Sequence, residues 1–192
     1  MSKIMVLHNP NNIKGLAVIT PTVNSDQRGY FVETYNQNDM ISEGLDLIFV
    51  QDNQSMSTRG VLRGLHFQKQ YSQGKLVRVI SGSVFDVVVD LRKDSDTYGN
   101  WYGIELSSDN MKQLYIPSGF AHGFLVISDT AVFAYKCTDF YHPNDEGGLA
   151  WNDPAIGIEW PLEEIDEVKL SDKDKMNPTL KEIEENYPHF LF

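Results

Sequence analysis

Two short segments of the chain carry side chains that are suited to acid–base chemistry. One reads Arg-Gly-Leu-His-Phe-Gln and the other reads Gln-Gly-Lys-Leu-Val-Arg. Together they place one imidazole, His66, close in sequence to three cations, Arg63, Lys75 and Arg78. An imidazole titrates near neutral pH and can remove a proton, and cations stabilise the anion that results. The pattern therefore predicts a site that makes and holds an anion.

The elements that carry these residues are predicted to be β-strands. Short apolar segments with strand-like alternation recur between turn signals, at residues 16–20, 30–35, 49–53, 61–67, 75–81, 84–91, 101–106, 113–116, 123–127 and 131–138. Such spacing is typical of an all-β sandwich or barrel. Residues 81–83 and 107–110 have the composition of hairpin turns. Helices are predicted only near residues 38–43 and in the acidic tail at 162–186.

Length and composition favour one domain. The 192 residues are 41% hydrophobic and 11% aromatic, which is enough to build one sizeable core. We predict a single domain over residues 1–192, with a barrel core at about 15–161 and a helical C-terminal tail at 162–192.

Charge and cysteine content limit the classes of partner. The chain has 16 Lys and Arg against 27 Asp and Glu, a net charge of −11, which argues against binding nucleic acid. A small anionic ligand needs only a local basic pocket. The one cysteine, Cys137, excludes an internal disulfide bond. No signal-peptide pattern and no long apolar run is present, so a cytoplasmic protein without a membrane partner is expected.

The spacing of two histidines resembles that of a cupin barrel. His66 follows a glycine by two residues on one strand, and Pro-x-Gly-x-x-His ends at His122 on a later strand. Metal cupins place two histidines one residue apart, followed by a carboxylate and a later histidine. Here Gln68 stands at the second position, and no Asp or Glu follows until Asp86. Because closed metal sites use three or four good ligands, we predict no metal.

Several longer blocks resemble one family within this fold. The blocks DQRGYFVE, FVQDN, VLRGLHFQ, GKLVR, IPSGFAHGF and WNDP occur in this order, and the match runs from about residue 15 to 174. Together they are similar to the dTDP-4-dehydrorhamnose 3,5-epimerase family. The resemblance implies a cupin-type double-stranded β-helix, or jelly roll, with a few short helices that are mainly C-terminal. It also implies epimerisation of a dTDP-linked 4-keto-6-deoxyhexose at C3 and C5, without a metal or other cofactor, on the route to dTDP-L-rhamnose.

The resemblance assigns catalytic roles that the chemistry can test. A 4-keto group acidifies the C–H bonds on both sides, so epimerisation needs a base, a stabiliser of the enolate and an acid. His66 corresponds to the base, Lys75 to the enolate stabiliser and Tyr135 to the acid. The carboxylate that orients the base maps onto Asp174, with the nearby Asp172 left as an alternative. Alternation along residues 131–138 predicts that Tyr135 faces the barrel interior.

Further residues lie at positions that the family uses for substrate. Besides Lys75 they are Arg28, Glu33, Gln51, Asn53, Arg63, His122, Glu146 and Lys173, and Tyr141 corresponds to the aromatic residue that stacks on the base. Family members are dimers that exchange N-terminal strands, so we expect a homodimer in which a loop carries Arg28 to the partner's site.

Three alternative functions remain open at this stage. One is a single-centre epimerase or a ketoisomerase, which Ala134 keeps open because a bulkier residue is expected beside the acid. Another is a non-catalytic cupin that binds a sugar or nucleotide, although such a protein needs no base. The third is a metal-dependent oxygenase, which the missing second histidine and carboxylate disfavour.

Overall fold

The computed structural model describes residues 4–192. The first three residues, which the predicted domain includes, lie outside the described range. Within this range the chain forms thirteen strands and two α-helices. The strands are Ile4–His8 (β1), Ala17–Pro21 (β2), Val23–Asp26 (β3), Gly29–Val32 (β4), Gln51–Thr58 (β5), Leu62–Gln68 (β6), Lys75–Ser81 (β7), Ser83–Asp90 (β8), Trp101–Ser107 (β9), Gln113–Ile116 (β10), Phe120–Val126 (β11), Thr130–Cys137 (β12) and Glu146–Gly148 (β13). The helices are Gln37–Ser42 (α1) and Leu180–Asn186 (α2).

Two antiparallel sheets make the barrel. The six-stranded sheet has the order β1-β2-β10-β7-β12-β5, and the five-stranded sheet has the order β13-β6-β11-β8-β9. From β5 to β8, and again from β9 to β12, each strand lies in the other sheet from the strand before it, as in a double-stranded β-helix. The predicted all-β, cupin-type fold is confirmed. Strands β3 and β4 form a separate two-stranded sheet.

The prediction of two hairpin turns is wrong. Residues 81–83 join β7 to β8, and residues 107–110 join β9 to β10, and in both cases the joined strands lie in different sheets. Gly82 has φ +79° and packs against backbone atoms of Thr130 and Ala131, so a side chain has no room at this corner. Turn composition therefore marks where the chain changes direction, but it does not tell which sheet the next strand joins.

The C-terminal tail is less helical than predicted. Helix α2 begins only at Leu180, where Thr179 and Glu182 form a capping box. Residues 162–179 contain turns and one 3₁₀ turn, Asp174–Met176. These residues lack helical periodicity, and they pack apolar side chains singly onto the barrel. Within residues 4–192 no helix is long and apolar enough to span a membrane.

Three apolar clusters hold these layers together. The first lies between the sheets and includes Val77 and Phe133 from one sheet and Phe124 from the other. The second lies on the outer face of the five-stranded sheet, where the C-terminal tail covers it with residues such as Ile183. The third lies on the outer face of the six-stranded sheet, beneath residues 35–49, and includes Met40. The two sheets are therefore held as fixed walls on either side of the barrel interior.

Candidate active site

A cavity of about 600 Å³ opens between the two sheets. Strands β5, β7 and β12 line it from the six-stranded sheet, β6 and β11 line it from the five-stranded sheet, and residues 169–174 close one side. Seven residues that the sequence singles out line this cavity: Asn53, Arg63, His66, Lys75, His122, Tyr135 and Asp174. The fold thus brings together side chains that span more than a hundred positions in the sequence.

His66 is paired with a buried carboxylate. Its Nε2 lies 2.5 Å from Oδ1 of Asp174, a residue 108 positions away and only 4% exposed. The backbone N–H of Asp174 donates to Ser171 Oγ at 3.1 Å, which holds the backbone at Asp174. Burial would raise the pKa of Asp174, but the hydrogen bond and charge of His66 outweigh it and hold that pKa below its usual value. Asp174 is thus kept ionised against the imidazole.

The nearby Asp172 has a different environment. Its side chain is 99% exposed and contacts Lys175, three residues along the chain. The geometry therefore selects Asp174, rather than Asp172, as the carboxylate that orients His66.

Lys75 lies on the wall opposite His66. It begins β7 on the same face as Val77 and Val79, whose side chains are in the core between the sheets. Within residues 4–192 its ammonium makes no hydrogen bond or ion pair. Burial lowers the pKa of Lys75, and negative charge at Cys137, Glu146 and Asp86 partly opposes that shift. An unpaired ammonium at a cavity wall is suited to an anion formed in the cavity.

Tyr135 lies on the same wall as Lys75. It is on the inner face of β12 with Phe133, as the alternation predicts, and its cross-strand neighbours are Asn53 and Val77. Burial raises the pKa of Tyr135 above its ordinary value of 10.0, so the phenol stays protonated at neutral pH. Its hydroxyl makes no hydrogen bond within residues 4–192, although it lines the cavity. The proton is therefore free to be given to a ligand.

Arg63 faces the cavity between the sheets, whereas Arg78 faces away from it. Arg63 lines the cavity, and its Nε donates to Ser57 Oγ at 3.0 Å. Arg78 points the other way, because it alternates with Val77 and Val79 along β7. The cavity thus holds two of the three cations grouped by the sequence, Arg63 and Lys75.

His122 is bound to a carboxylate that the sequence analysis did not assign. His122 is the cross-strand neighbour of His66, and its Nε2 lies 2.9 Å from Asp86 Oδ2. Asp86 is fully buried, and its Oδ1 makes no hydrogen bond in the described chain. Burial raises the pKa of Asp86, which the His122 charge and hydrogen bond partly counter. The available signal was a carboxylate in the middle of the apolar run at residues 84–89.

Four more predicted residues do not line the cavity but are linked, directly or through one another, to the lining residues Asn53 and His66. Glu146 accepts hydrogen bonds from the Tyr141 hydroxyl and from Lys173, and its Oε1 lies 4.0 Å from His66 Nδ1. Gln51 accepts from the Tyr141 backbone N–H at 3.0 Å and donates to Asn53 at 3.1 Å. Burial tends to raise the pKa of Glu146, but its interactions with Lys173 and His66 leave it lowered.

Arg28 and Glu33 are not brought to this cavity. Arg28 is 84% exposed at the turn between β3 and β4, where it pairs with Asp26. Glu33 accepts a hydrogen bond from Asn36 Nδ2 at 2.9 Å. Within residues 4–192, no group of three or more His, Cys, Asp or Glu side chains is arranged to hold a metal ion.

Comparison with known proteins identifies the family. A family model described as dTDP-4-dehydrorhamnose 3,5-epimerase matches residues 10–182. The chain belongs to the dTDP-4-dehydrorhamnose 3,5-epimerase family. A relative of that name from Methanothermobacter thermautotrophicus is 55% identical over 171 residues, which cover 89% of this chain and 92% of the relative. The family and the enzyme class predicted from the sequence, an isomerase that acts on carbohydrates, are therefore confirmed.

Solved structures of this epimerase family match the whole barrel. The dTDP-6-deoxy-D-glucose-3,5-epimerase from Legionella pneumophila, in complex with dTDP-4-keto-L-rhamnose, superposes with a TM-score of 0.91 and is 43% identical. The match covers 98% of this chain and 97% of that one. A 3'-monoepimerase from Streptomyces bikiniensis, in complex with dTDP-quinovose, gives a TM-score of 0.87 at 33% identity and covers 96% of this chain and 92% of that one. One barrel therefore serves double and single epimerases.

Proposed function

We propose that this epimerase inverts C3 and C5 of dTDP-4-dehydro-6-deoxy-D-glucose to give dTDP-4-dehydro-L-rhamnose, without a metal or other cofactor. One observation carries the proposal most directly. The base candidate His66 extends from one sheet, whereas Lys75 and Tyr135 extend from the other, and all three line the same cavity. A sugar held between the sheets would have a base on one face and an acid on the other, which is the arrangement that inversion at carbon requires.

The proposed reaction proceeds through an enolate. His66, oriented by Asp174, takes the proton from the carbon next to the ketone, and the electron pair of that C–H bond moves to the ketone oxygen. The Lys75 ammonium stabilises the resulting negative charge. As the enolate electron pair returns to that carbon, Tyr135 gives a proton to its opposite face, which inverts it. The imidazolium of His66 then releases its proton to solvent, and the Tyr135 phenolate recovers one from solvent. The same steps at the second flanking carbon complete the double epimerisation.

The nucleotide half of the substrate is proposed to lie at the mouth of the cavity. Arg63 offers guanidinium nitrogens for a phosphate, and a planar guanidinium is suited to bidentate contacts with phosphate oxygens. Tyr141 offers an aromatic face on which the thymine stacks. Gln51, Asn53, His122, Glu146 and Lys173 complete the proposed binding set.

A labelling experiment tests the reaction and its alternatives. Incubating dTDP-4-keto-6-deoxyglucose with the protein in deuterium oxide should place deuterium at both C3 and C5, as followed by proton NMR. Label at one carbon would identify a single-centre epimerase, the activity named for the Streptomyces bikiniensis relative. No label at either carbon would leave a non-catalytic nucleotide-sugar binder.

We also propose a homodimer with exchanged N-terminal strands, in which Arg28 and Glu33 contribute to the partner's site. The hairpin of β3 and β4 lies outside the two main sheets, with Tyr30 61% and Phe31 68% exposed. Edge strand β1 likewise exposes Met5 and Leu7. Apolar residues exposed together are typical of a surface that another chain covers.

Mixed dimers show whether Arg28 acts in the site of its own subunit or in the site of the partner subunit. Homodimers of Arg28→Ala and homodimers of His66→Ala are each expected to have lost most of the wild-type activity. Co-expressed with different tags and purified as heterodimers, they should regain activity at one site per dimer. Heterodimers as inactive as their parents would place Arg28 in its own subunit's site, and a 21.9 kDa species by sedimentation equilibrium would contradict the dimer.

Two broader predictions accompany the proposed function. We propose that residues 1–192 form one domain, because the C-terminal tail buries Leu180 and Ile183 against the barrel; two separate unfolding transitions by calorimetry would contradict this. A cytoplasmic location is consistent with the single, buried and unpaired Cys137, and cell fractionation tests it.

A further inference from the structure

Gln68 occupies a position that the proposed mechanism leaves without a role. It ends β6, two residues after His66, at the place where metal cupins carry their second histidine. Its side chain is buried, 4% exposed, although an amide gains nothing from burial unless its hydrogen-bonding groups are paired. The buried amide of Gln68 is therefore expected to be hydrogen-bonded.

Those partners lie on both sides of Tyr141. Gln68 Nε2 donates to the carbonyl oxygen of Phe140 at 3.0 Å, and Gln68 Oε1 accepts from the backbone N–H of His142 at 2.6 Å. The amide thus binds the residues immediately before and after Tyr141, as a neighbouring strand would. Nε2 also donates to the carbonyl of Tyr71 at 2.7 Å, which ties in the preceding loop, whose Tyr71 ring stacks on His142 at 4.0 Å.

Tyr141 itself has few side-chain contacts that fix its ring. Half of the side chain is exposed, and its hydroxyl donates to Glu146 at 3.1 Å. The ring is therefore placed mainly through its backbone, which Gln68 holds on both flanks and Gln51 holds at the Tyr141 N–H. A loop that needed ordering before it could stack on a ligand would bind that ligand more weakly.

We propose that Gln68 is a positioning residue for nucleotide recognition, which pre-organises Tyr141 by clamping residues 140 and 142. This inference rests on the proposed function, in which Tyr141 stacks on the thymine of the substrate. The position that holds a metal ligand in metal cupins here supports the segment that carries Tyr141. Gln68 acts on binding and not on the proton transfers of His66.

The variant Gln68→Glu tests this role with little change in volume. A carboxylate keeps the bond from His142 but cannot donate to the carbonyls of Phe140 and Tyr71. We expect dTDP to bind about tenfold more weakly by isothermal titration calorimetry, the scale of losing one to two buried hydrogen bonds. KM should rise in parallel, with kcat within about twofold of wild type because uniform binding is what is lost. Pyrophosphate, which has no base to stack, should bind with unchanged affinity.

A matched control and a double-mutant cycle separate this role from a general loss of stability. Asn110→Asp removes the donation from another amide that makes three bonds to backbone, at the turn after β9, and should leave dTDP binding unchanged. In a Tyr141→Ala background, Gln68→Glu should add no further loss, since both changes act through one ring.

The outcomes distinguish this inference from the proposed function. If Tyr141→Ala weakens dTDP binding but Gln68→Glu does not, the positioning role is wrong and the proposed function stands. If Tyr141→Ala itself has no effect, the assignment of Tyr141 to the base fails first. A fall in kcat with unchanged KM would show that Gln68 acts through His66 instead. Should Gln68→Glu fail to fold, Gln68→Met is judged by the same measurements.

Discussion

Replacing His66 by alanine should abolish deuterium incorporation at both C3 and C5 while leaving affinity for dTDP almost unchanged. The reason is that His66 is the imidazole that the fold pairs with a buried carboxylate at the cavity wall. A positioned general base contributes on the order of 10²- to 10⁴-fold to a rate, so kcat should fall by at least that factor. Proton NMR in deuterium oxide measures exchange, and calorimetry with dTDP measures binding.

His189 offers a control for this substitution. His189 lies in the C-terminal 3₁₀ turn and does not line the cavity, so His189→Ala should exchange protons at the wild-type rate. Near-normal turnover by His66→Ala would mean that another residue is the base. Loss of exchange at only one carbon would assign His66 to that carbon alone and would require a second base for the other.

The sequence singles out His66 as the candidate base because the signal is local, and the fold places this residue at the cavity wall. A histidine between glycine, apolar residues and nearby cations stands out within a few positions, and the family blocks around it make the assignment specific. The carboxylate partner is harder to assign, because the family resemblance points to Asp174 while Asp172, two residues away, remains an alternative. Only the packing of the tail onto β6 buries one of them and leaves the other in solvent.

Strand alternation correctly predicts which way these side chains point. It places Tyr135 inward with Phe133, and the same rule, applied to β7, separates Arg78 from Lys75. Proximity in sequence alone groups Arg63, Lys75 and Arg78 together, because it takes no account of this alternation. Residues three apart on a strand point to opposite faces, so the cavity receives Lys75 but not Arg78.

Two features that local sequence patterns do not predict, strand β13 and the pairing of Asp86 with His122, depend on contacts between distant segments. The short strand β13 contains two glycines and has little strand propensity, and it forms because β6 offers an edge to pair with. Asp86 is likewise unremarkable in an apolar segment until β11 brings His122 beside it. Both depend on contacts between distant segments, which no local pattern encodes.

Replacing Lys75 by methionine is expected to lower kcat by about 10²- to 10³-fold or more, with a smaller effect on KM. The reason is that the ammonium is proposed to stabilise charge that forms only in the transition state. Wild-type activity should fall as pH rises through the pKa of Lys75, which burial sets below 10.5. Tyr135 keeps its proton over that range because its own pKa is raised. The fall in activity at high pH, the basic limb of the profile, is therefore assigned to Lys75. Steady-state kinetics from pH 6 upward measures both effects.

Two further variants test that assignment. Lys75→Arg keeps a charge at all accessible pH values, so whatever activity it retains should show no basic limb from this residue. Lys112→Met removes a lysine from the turn before β10, which does not line the cavity, and should behave like wild type. If Lys75→Met kept both its rate and its basic limb, the enolate would need a different stabiliser, and the other lining cations, Arg63 and Lys169, would be the candidates.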